Sequence, residues 1–161
     1  MSKIKVADFY YGAALSVLFN NSNRKIKAAI IESDDSRQLY ELMTDNSECH
    51  LFVKYRSNKT DIKTKDYYSW LFSFTERDKN EIKDLIDGGH NLVLALVCGV
   101  DGLIDSELAL IDKEQVKKLI ELERESVTVS RRKYERSYRI LIGGGREDAM
   151  LIPYNRFNEL F

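Results

Sequence analysis

Proline is almost missing from this chain: Pro153 is the only one. With so few fixed-φ breaks, regular helices and strands joined by short turns are expected. Cysteine is nearly as scarce. Cys49 and Cys98 fall in separate expected strands with no Cys-x-x-Cys spacing. That excludes a disulfide framework and a zinc site of several cysteines, and it points to the cytosol. No apolar run approaches the ~20 residues needed to cross a bilayer, so no membrane partner is expected. The start, MSKIKVADFYYGAALSVLF, is interrupted by Asp8 and by tyrosines and shows no small-residue cleavage site. It reads as a helix, not a signal peptide. Net charge is lacking too, at −1 overall, so no global field draws in nucleic acid.

What is present is enough to build a core. In 161 residues, 43% are hydrophobic and 32% charged, the balance of one soluble globular domain. The charge is unevenly spread. Lys54–Lys65 carries Lys54, Arg56, Lys59, Lys63 and Lys65 against Asp61, a local +4. Arg124–Arg139 carries Arg124, Arg131, Arg132, Lys133, Arg136 and Arg139 against Glu125 and Glu135, again +4. Between them, Asp101–Glu123 sums to −4, with seven acids against Lys113, Lys117 and Lys118. Local basic surfaces can recruit polyanions even where net charge does not.

Periodicity sets out the elements. Val6–Phe19 has helical spacing, with Val6, Phe9, Ala13 and Val17 on one row and Tyr10, Ala14 and Leu18 beside them. Lys27–Glu32 is a short apolar strand, and Ser33–Ser36 a turn. Ser57–Asp66 is a lysine-rich loop, followed by an aromatic strand at Tyr67–Thr75. Thr75 caps a helix over Glu76–Asp87 with Asp78 at its third position, and Gly88-Gly89 ends it. Asn91–Val100 is apolar throughout, as a strand buried on both faces is. Ser106–Ile111 is a strand, and Asp112 with Gln115 caps a helix over Asp112–Glu123. Ser126–Ser130 and Ser137–Ile142 form a second hairpin, Gly143–Gly145 a turn, Asp148–Ile152 a strand, and Tyr154–Phe161 a short helix. Gly143–Gly145 lacks the Lys-Ser/Thr of a phosphate loop and opens no helix. The aromatics Tyr67, Tyr68, Trp70, Phe72 and Phe74 read as core and hairpin cover rather than a base-stacking platform.

The stretch YELMTDNSECHLFVKY (Tyr40–Tyr55) reads as two strands around a turn at Asp45–Glu48, which sets Thr44 opposite Cys49 and Glu41 opposite Phe52. Alternation then gives a core face of Tyr40, Leu42, Leu51, Val53 and Tyr55. The other face carries Leu39, Glu41, Met43, His50, Phe52 and Lys54, with Glu41 and Lys54 as diagonal neighbours. The bland reading of that pair is a surface ion pair worth under ~1 kcal/mol.

The order helix, three strands, helix, buried strand resembles the restriction-endonuclease-like PD-(D/E)xK superfamily, with Tyr40-Glu41-Leu42 and Phe52-Val53-Lys54-Tyr55 standing for its motif. SELALIDKEQVKKLI (Ser106–Ile120) resembles the strand and helix that often follow. The resemblance spans roughly Val6 to Ile120. It implies an α/β fold, a mixed central sheet flanked by helices. Residues 121–161 would add a C-terminal antiparallel β extension to the core of residues 1–120, all in one domain. It also implies Glu41 and Lys54 as catalytic residues and Mg²⁺ held by Glu41 with Asp8 or Glu32, His50 being near. Phe52 stands where the second acid belongs and cannot ligate Mg²⁺. The leading expectation is therefore a degenerate domain that binds nucleic acid or a protein partner without efficient cleavage, with no cofactor. Phage, mobile-element or defence biology is the setting that the family suggests. The nucleic-acid contacts expected are Lys54, Arg56, Lys59, Arg131, Arg132, Lys133 and Arg136. Two alternatives stand beside it. One is an active Mg²⁺-dependent nuclease with a migrated acid. The other is a non-enzymatic interaction module, self-associating or binding a protein through an exposed patch of Phe52, Met43 and Leu39.

Overall fold

The computed structural model describes residues 2–33, 36–45, 47–60 and 67–160. Lys63 and Lys65, counted above in the first basic segment, lie outside the described residues, as do parts of the turns and of the loop expected around them. The fold is α/β, with two sheets. Helix α1 (Val6–Asn21) is followed by strands β1 (Lys27–Ser33), β2 (Gln38–Met43), β3 (Glu48–Arg56) and β4 (Tyr67–Ser73). Then come α2 (Glu76–Asp87), β5 (Leu92–Cys98), β6 (Glu107–Ile111) and α3 (Lys113–Glu121). Strands β7 (Ser126–Arg132), β8 (Ser137–Ile140) and β9 (Met150–Pro153) and a single turn, α4 (Phe157–Leu160), complete the chain. No helix among the described residues is long and apolar enough to cross a membrane.

The first sheet runs β1-β2-β3-β5-β6. It is antiparallel except for β3 and β5, which pair in parallel. The apolar run of β5 is buried along its whole length, as a central strand covered on both faces must be. The second sheet is antiparallel, in the order β4-β7-β8-β9. The C-terminal strands therefore do not form an extension separate from residues 1–120. They take β4 as their edge, because its Trp70 and Phe72 complete the same apolar face as Val127, Val129 and Ile140.

Two cores result, one on each side of the first sheet. Under α1 lie Tyr40, Leu42, Leu51, Val53, Val93, Ala95 and Val97. On the other side Leu39, Phe52, Leu94 and Leu96 meet the second sheet, with Ile82 of α2 and Val116 and Leu119 of α3. The helix starts follow their capping boxes: Thr75 with Asp78 for α2 and Asp112 with Gln115 for α3. At the far end of α2, Gly89 rather than Gly88 takes the left-handed conformation. Helix α1 corrects the expected row. Ala7, Tyr10, Tyr11, Ala14 and Leu18 face the sheet, while Val6 and Phe9 are more than half exposed. A helix that is apolar nearly all round carries no periodic signal able to choose its buried side.

The first hairpin keeps the expected faces and changes the register. Thr44 N–H and hydroxyl both close on Ser47 O, at 2.8 and 3.3 Å. The turn is thus residues 44–47, Met43 pairs with Glu48, and Glu41 pairs with His50 instead of Phe52. Moving the turn by one residue slides the partner by two, and a two-residue slide leaves every side chain on its own face.

Candidate functional site

Lys54 sits near the end of β3 with its side chain buried. Its acid is not Glu41. Glu41 lies at the level of His50, four residues back along β3, about 13 Å at the ~3.3 Å rise of a strand. Lys54 Nζ instead donates to Asp78 Oδ2 at 2.8 Å. The same oxygen accepts from Thr75 N–H at 3.0 Å. Asp78 is thus both the third residue of a capping box and the counter-ion of Lys54. Arg37, 2% exposed, faces the other carboxylate oxygen, with Nη1 at 3.3 Å from Oδ1. Its Nη2 reaches Glu32 Oε1 at 2.9 Å and Glu81 Oε2 at 2.5 Å. Arg77 closes the set with an ion pair to Glu32.

The cluster is therefore balanced: Glu32, Asp78 and Glu81 against Arg37, Lys54 and Arg77. Aromatic rings flank it. The Arg37 guanidinium lies 5.2 Å from the Phe52 ring centre and Lys54 Nζ 5.2 Å from that of Phe74, distances at which a ring face attracts a cation. Burial by itself pushes the Asp78 carboxyl up. The Lys54 and Thr75 hydrogen bonds and the charges of Lys54 and Arg37 outweigh it, and Asp78 is held below its ordinary value.

The acids expected to share a metal are not brought together. Asp8 caps α1 through Lys5 N–H at 2.8 Å and raises the Tyr40 phenol together with burial, which is the larger cause. It therefore lies on the α1 side of the sheet, opposite Glu41. Glu32 shares a face with Glu41 but is held by Arg37 and Arg77. His50 is buried, its ring packed on His90 at 4.8 Å between centroids. Among the described residues no group of three or more His, Cys, Asp or Glu side chains is arranged to hold a metal ion.

The exposed apolar patch is corrected as well. Phe52 and Leu39 are in the core under the second sheet, and of the three residues only Met43 is exposed. That face of the hairpin is covered by the second sheet and α2, which strand alternation alone does not reveal. Arg37, Asp78 and Glu81 carry the cluster, yet sequence reasoning did not select them. Asp78 had a signal in its capping position. Arg37, a single arginine after a turn, had none.

Beside Lys54 opens a groove of about 360 Å³, lined by Ser36, Lys54, Arg56, Ser57, Asn58, Phe72 and Ser73 among others. Gly99 packs against the backbone at the end of β3. A Cβ there would meet Arg56 O at 2.5 Å, while Gly99 O accepts from Trp70 Nε1 at 2.8 Å. This close approach fixes β4 against the end of β3.

Beyond the groove the two basic segments converge. Thr60 N–H donates to Ser69 O at 2.7 Å, and Lys59 Nζ lies 3.9 Å from the centre of the Tyr68 ring. Tyr68 pairs with Arg131 across the β4–β7 ladder. From there β7 runs to the hairpin tip, where Arg132, Lys133, Tyr134 and Arg136 are exposed. Part of the basic charge is neutralised internally. Arg131 pairs with Glu107 at 2.8 Å. Arg139 pairs with Glu135 at 3.4 Å.

Glu135 is the brace of this hairpin. Arg146 grips both its oxygens, at 2.8 and 2.7 Å, and Arg132 N–H adds a third bond at 3.0 Å. The Arg146 bonds chiefly, against partial burial that pushes the other way, and then the Arg132 N–H and the charges of Arg146 and Arg139, hold the carboxyl down at about 2. A carboxyl lowered in the folded state stabilises it above the ordinary carboxylate range, and that contribution is lost as pH falls toward the folded value. Glu135→Gln is expected to remove the part of the acid destabilisation that falls between about pH 4.5 and 2. Thermal melts across that range test this; superimposable profiles for the two chains would refute it.

No known protein family, curated protein or solved structure matches this chain.

Proposed function

We propose that the chain is a non-cleaving nucleic-acid-binding domain of restriction-endonuclease-like descent. One junction carries the binding half of this reading: Lys59 on Tyr68, with Tyr68 directly across from Arg131. It joins the groove beside Lys54 and Arg56 to the basic hairpin tip in one continuous surface. Exposed cations along such a path suit phosphates, and the exposed rings of Tyr68 and Tyr134 suit stacking of unpaired bases. A single-stranded substrate is favoured, because aromatic stacking needs bases out of the duplex.

The non-cleaving half rests on the charge balance around Lys54. Its ammonium is committed to Asp78, and the acids around it are neutralised by arginines. A divalent cation would have to displace a buried guanidinium to reach them. The order of elements from α1 to β6, with β3 parallel to β5, is what supports the descent.

The test is fluorescence anisotropy with labelled single- and double-stranded DNA and RNA at two salt concentrations, with EDTA, Mg²⁺ or Mn²⁺. Binding is expected to weaken steeply with salt. Lys59→Glu combined with Arg136→Glu should weaken it about ten-fold or more and lower the salt slope by about 1.5, since each phosphate no longer neutralised removes ~0.7–0.9 from the slope. Binding indifferent to salt and to both changes would overturn the proposal. Metal-dependent cleavage abolished by Glu41→Ala would overturn the non-cleaving half alone.

A further inference from the structure

We propose that the groove beside Lys54 receives the terminal phosphate of a single-stranded nucleic acid, so that the domain prefers strand ends carrying a phosphomonoester. This rests on the nucleic-acid reading of the same surface and adds where the strand ends. Lys54 and Arg56 stand two residues apart on β3 and so share a face. Both line the groove, together with Ser57, Asn58 and Ser73, and none of its described lining residues is acidic. The Lys54 ammonium has three protons to donate. Among the described residues its one hydrogen bond is to Asp78, which leaves the other protons for a ligand. The side chains of Arg56, Ser57, Asn58 and Ser73 have no hydrogen-bond or ion-pair partner among the described residues.

Such a lining suits a phosphate. A guanidinium and an ammonium meet its charge, and hydroxyls and an amide can bond its remaining oxygens. Burial decides which phosphate. Arg56, Asn58 and Ser73 are exposed, but the Lys54 side chain is only 8% exposed. An internal phosphate carries a sugar on each side, and both must pass along the surface. It can meet Arg56 but not a lysine so enclosed. A terminal phosphate is esterified on one side only and can enter end-on. It also carries about −1.5 to −2 charge at neutral pH, more than an internal diester. At about 360 Å³ the groove is at the small end of the range for ligand sites, which suits a phosphate with the sugar that bears it.

The cations also run one way from the groove. Asn58 lines it, and the next residue, Lys59, lies over Tyr68, which stands across from Arg131. On the other side, behind Lys54 and Asp78, Arg37 and Arg77 are held by carboxylates of Glu32, Asp78 and Glu81. A strand laid from the hairpin tip along Tyr68 and Lys59 therefore comes to its end in the groove.

Anisotropy with short, internally labelled single strands ending in a 5′-phosphate, a 3′-phosphate or hydroxyls tests the proposal. A phosphate on one end is expected to tighten binding about ten-fold or more, the gain from charge-assisted hydrogen bonds in the groove. Arg56→Gln should cut that ratio to about two or less. Ser73→Tyr fills the groove from an exposed position without removing a charge and should do the same. Thermal melts check that both variants fold. Lys59→Glu with Arg136→Glu should weaken every strand and leave the ratio in place. A nucleoside monophosphate and inorganic phosphate serve as competitors, and each should displace the phosphorylated strand only at concentrations far above that of the strand. Salt-sensitive binding that is the same with and without a terminal phosphate would overturn this inference and leave the nucleic-acid reading standing. No binding of any strand would overturn both. A ratio unmoved by either groove variant would put the strand end elsewhere. A nucleoside monophosphate that bound as tightly as the phosphorylated strand would make a free nucleotide the occupant, and the strand-end assignment would fall.

Discussion

An Asp78→Ala chain is expected to lose about 3–5 kcal/mol of stability, the cost of breaking a buried ion pair from one side. Three supports fail together. Lys54 is left charged and buried beside Phe74. One side of Arg37 loses its carboxylate. Thr75 N–H loses the acceptor that closed the start of α2. A domain's whole stability is only about 5–15 kcal/mol, so the variant should be marginally folded at 25 °C. Asp78→Asn keeps an acceptor for Thr75 and should fall between the two. Lys54→Met placed in the Asp78→Ala background should recover part of the loss by removing the stranded charge, a non-additivity that a double-mutant cycle reads directly. The pH dependence has a definite sign. Asp78 is held below its ordinary value in the fold, so its contribution is present above the unfolded value near ~3.9 and fades as pH falls below it. Urea titrations of these variants, of Lys54→Met alone and of the wild type decide the matter. An Asp78→Ala midpoint indistinguishable from wild type would mean that the cluster is not holding α2 to the sheet.

The second large effect is at Phe52. Phe52→Ala is expected to cost about 3–5 kcal/mol, the range for emptying a buried aromatic site, and Phe52→Glu should fail to fold. Phe52 is fully buried, among Leu39 and the residues beneath the second sheet, and the Arg37 guanidinium rests over its ring. Alanine opens a cavity under that arginine and weakens the cluster from below. Glutamate adds a fourth carboxyl beside Glu32, Asp78 and Glu81, with no cation left to pair with it. Circular dichroism melts and hydrogen exchange at β3 amides report the outcome. A Phe52→Glu chain that melted like wild type would require Phe52 to be on the surface, and the packing of the second sheet over the hairpin would then be wrong.

Most of the elements were legible because their signals are local. Capping boxes at Thr75 and Asp112 lie within four residues, and the core face of the first hairpin follows from alternation. The cation cluster was not legible. Arg37 meets Asp78 and Glu81 from more than forty positions away, and no pattern within one window announces a pairing of that span. The motif reading paired Lys54 with Glu41 because a hairpin offers only its own two strands as partners. The true partner comes from the helix that follows β4.

The sequence by itself determined which residues of the first hairpin share a face and where α2 and α3 begin. It also determined that two segments are basic. Only the tertiary structure decided the hairpin register, because a two-residue slide preserves every face and so leaves no trace in the pattern. It alone decided which side of the uniformly apolar α1 is buried, since the sheet surface makes that choice. It alone put β4 with the C-terminal strands, because Trp70 and Phe72 gain more from a shared apolar layer than from the sheet nearest in sequence. The same layer turns Phe52 from a surface residue into core and carries Lys59 and Tyr68 to Arg131.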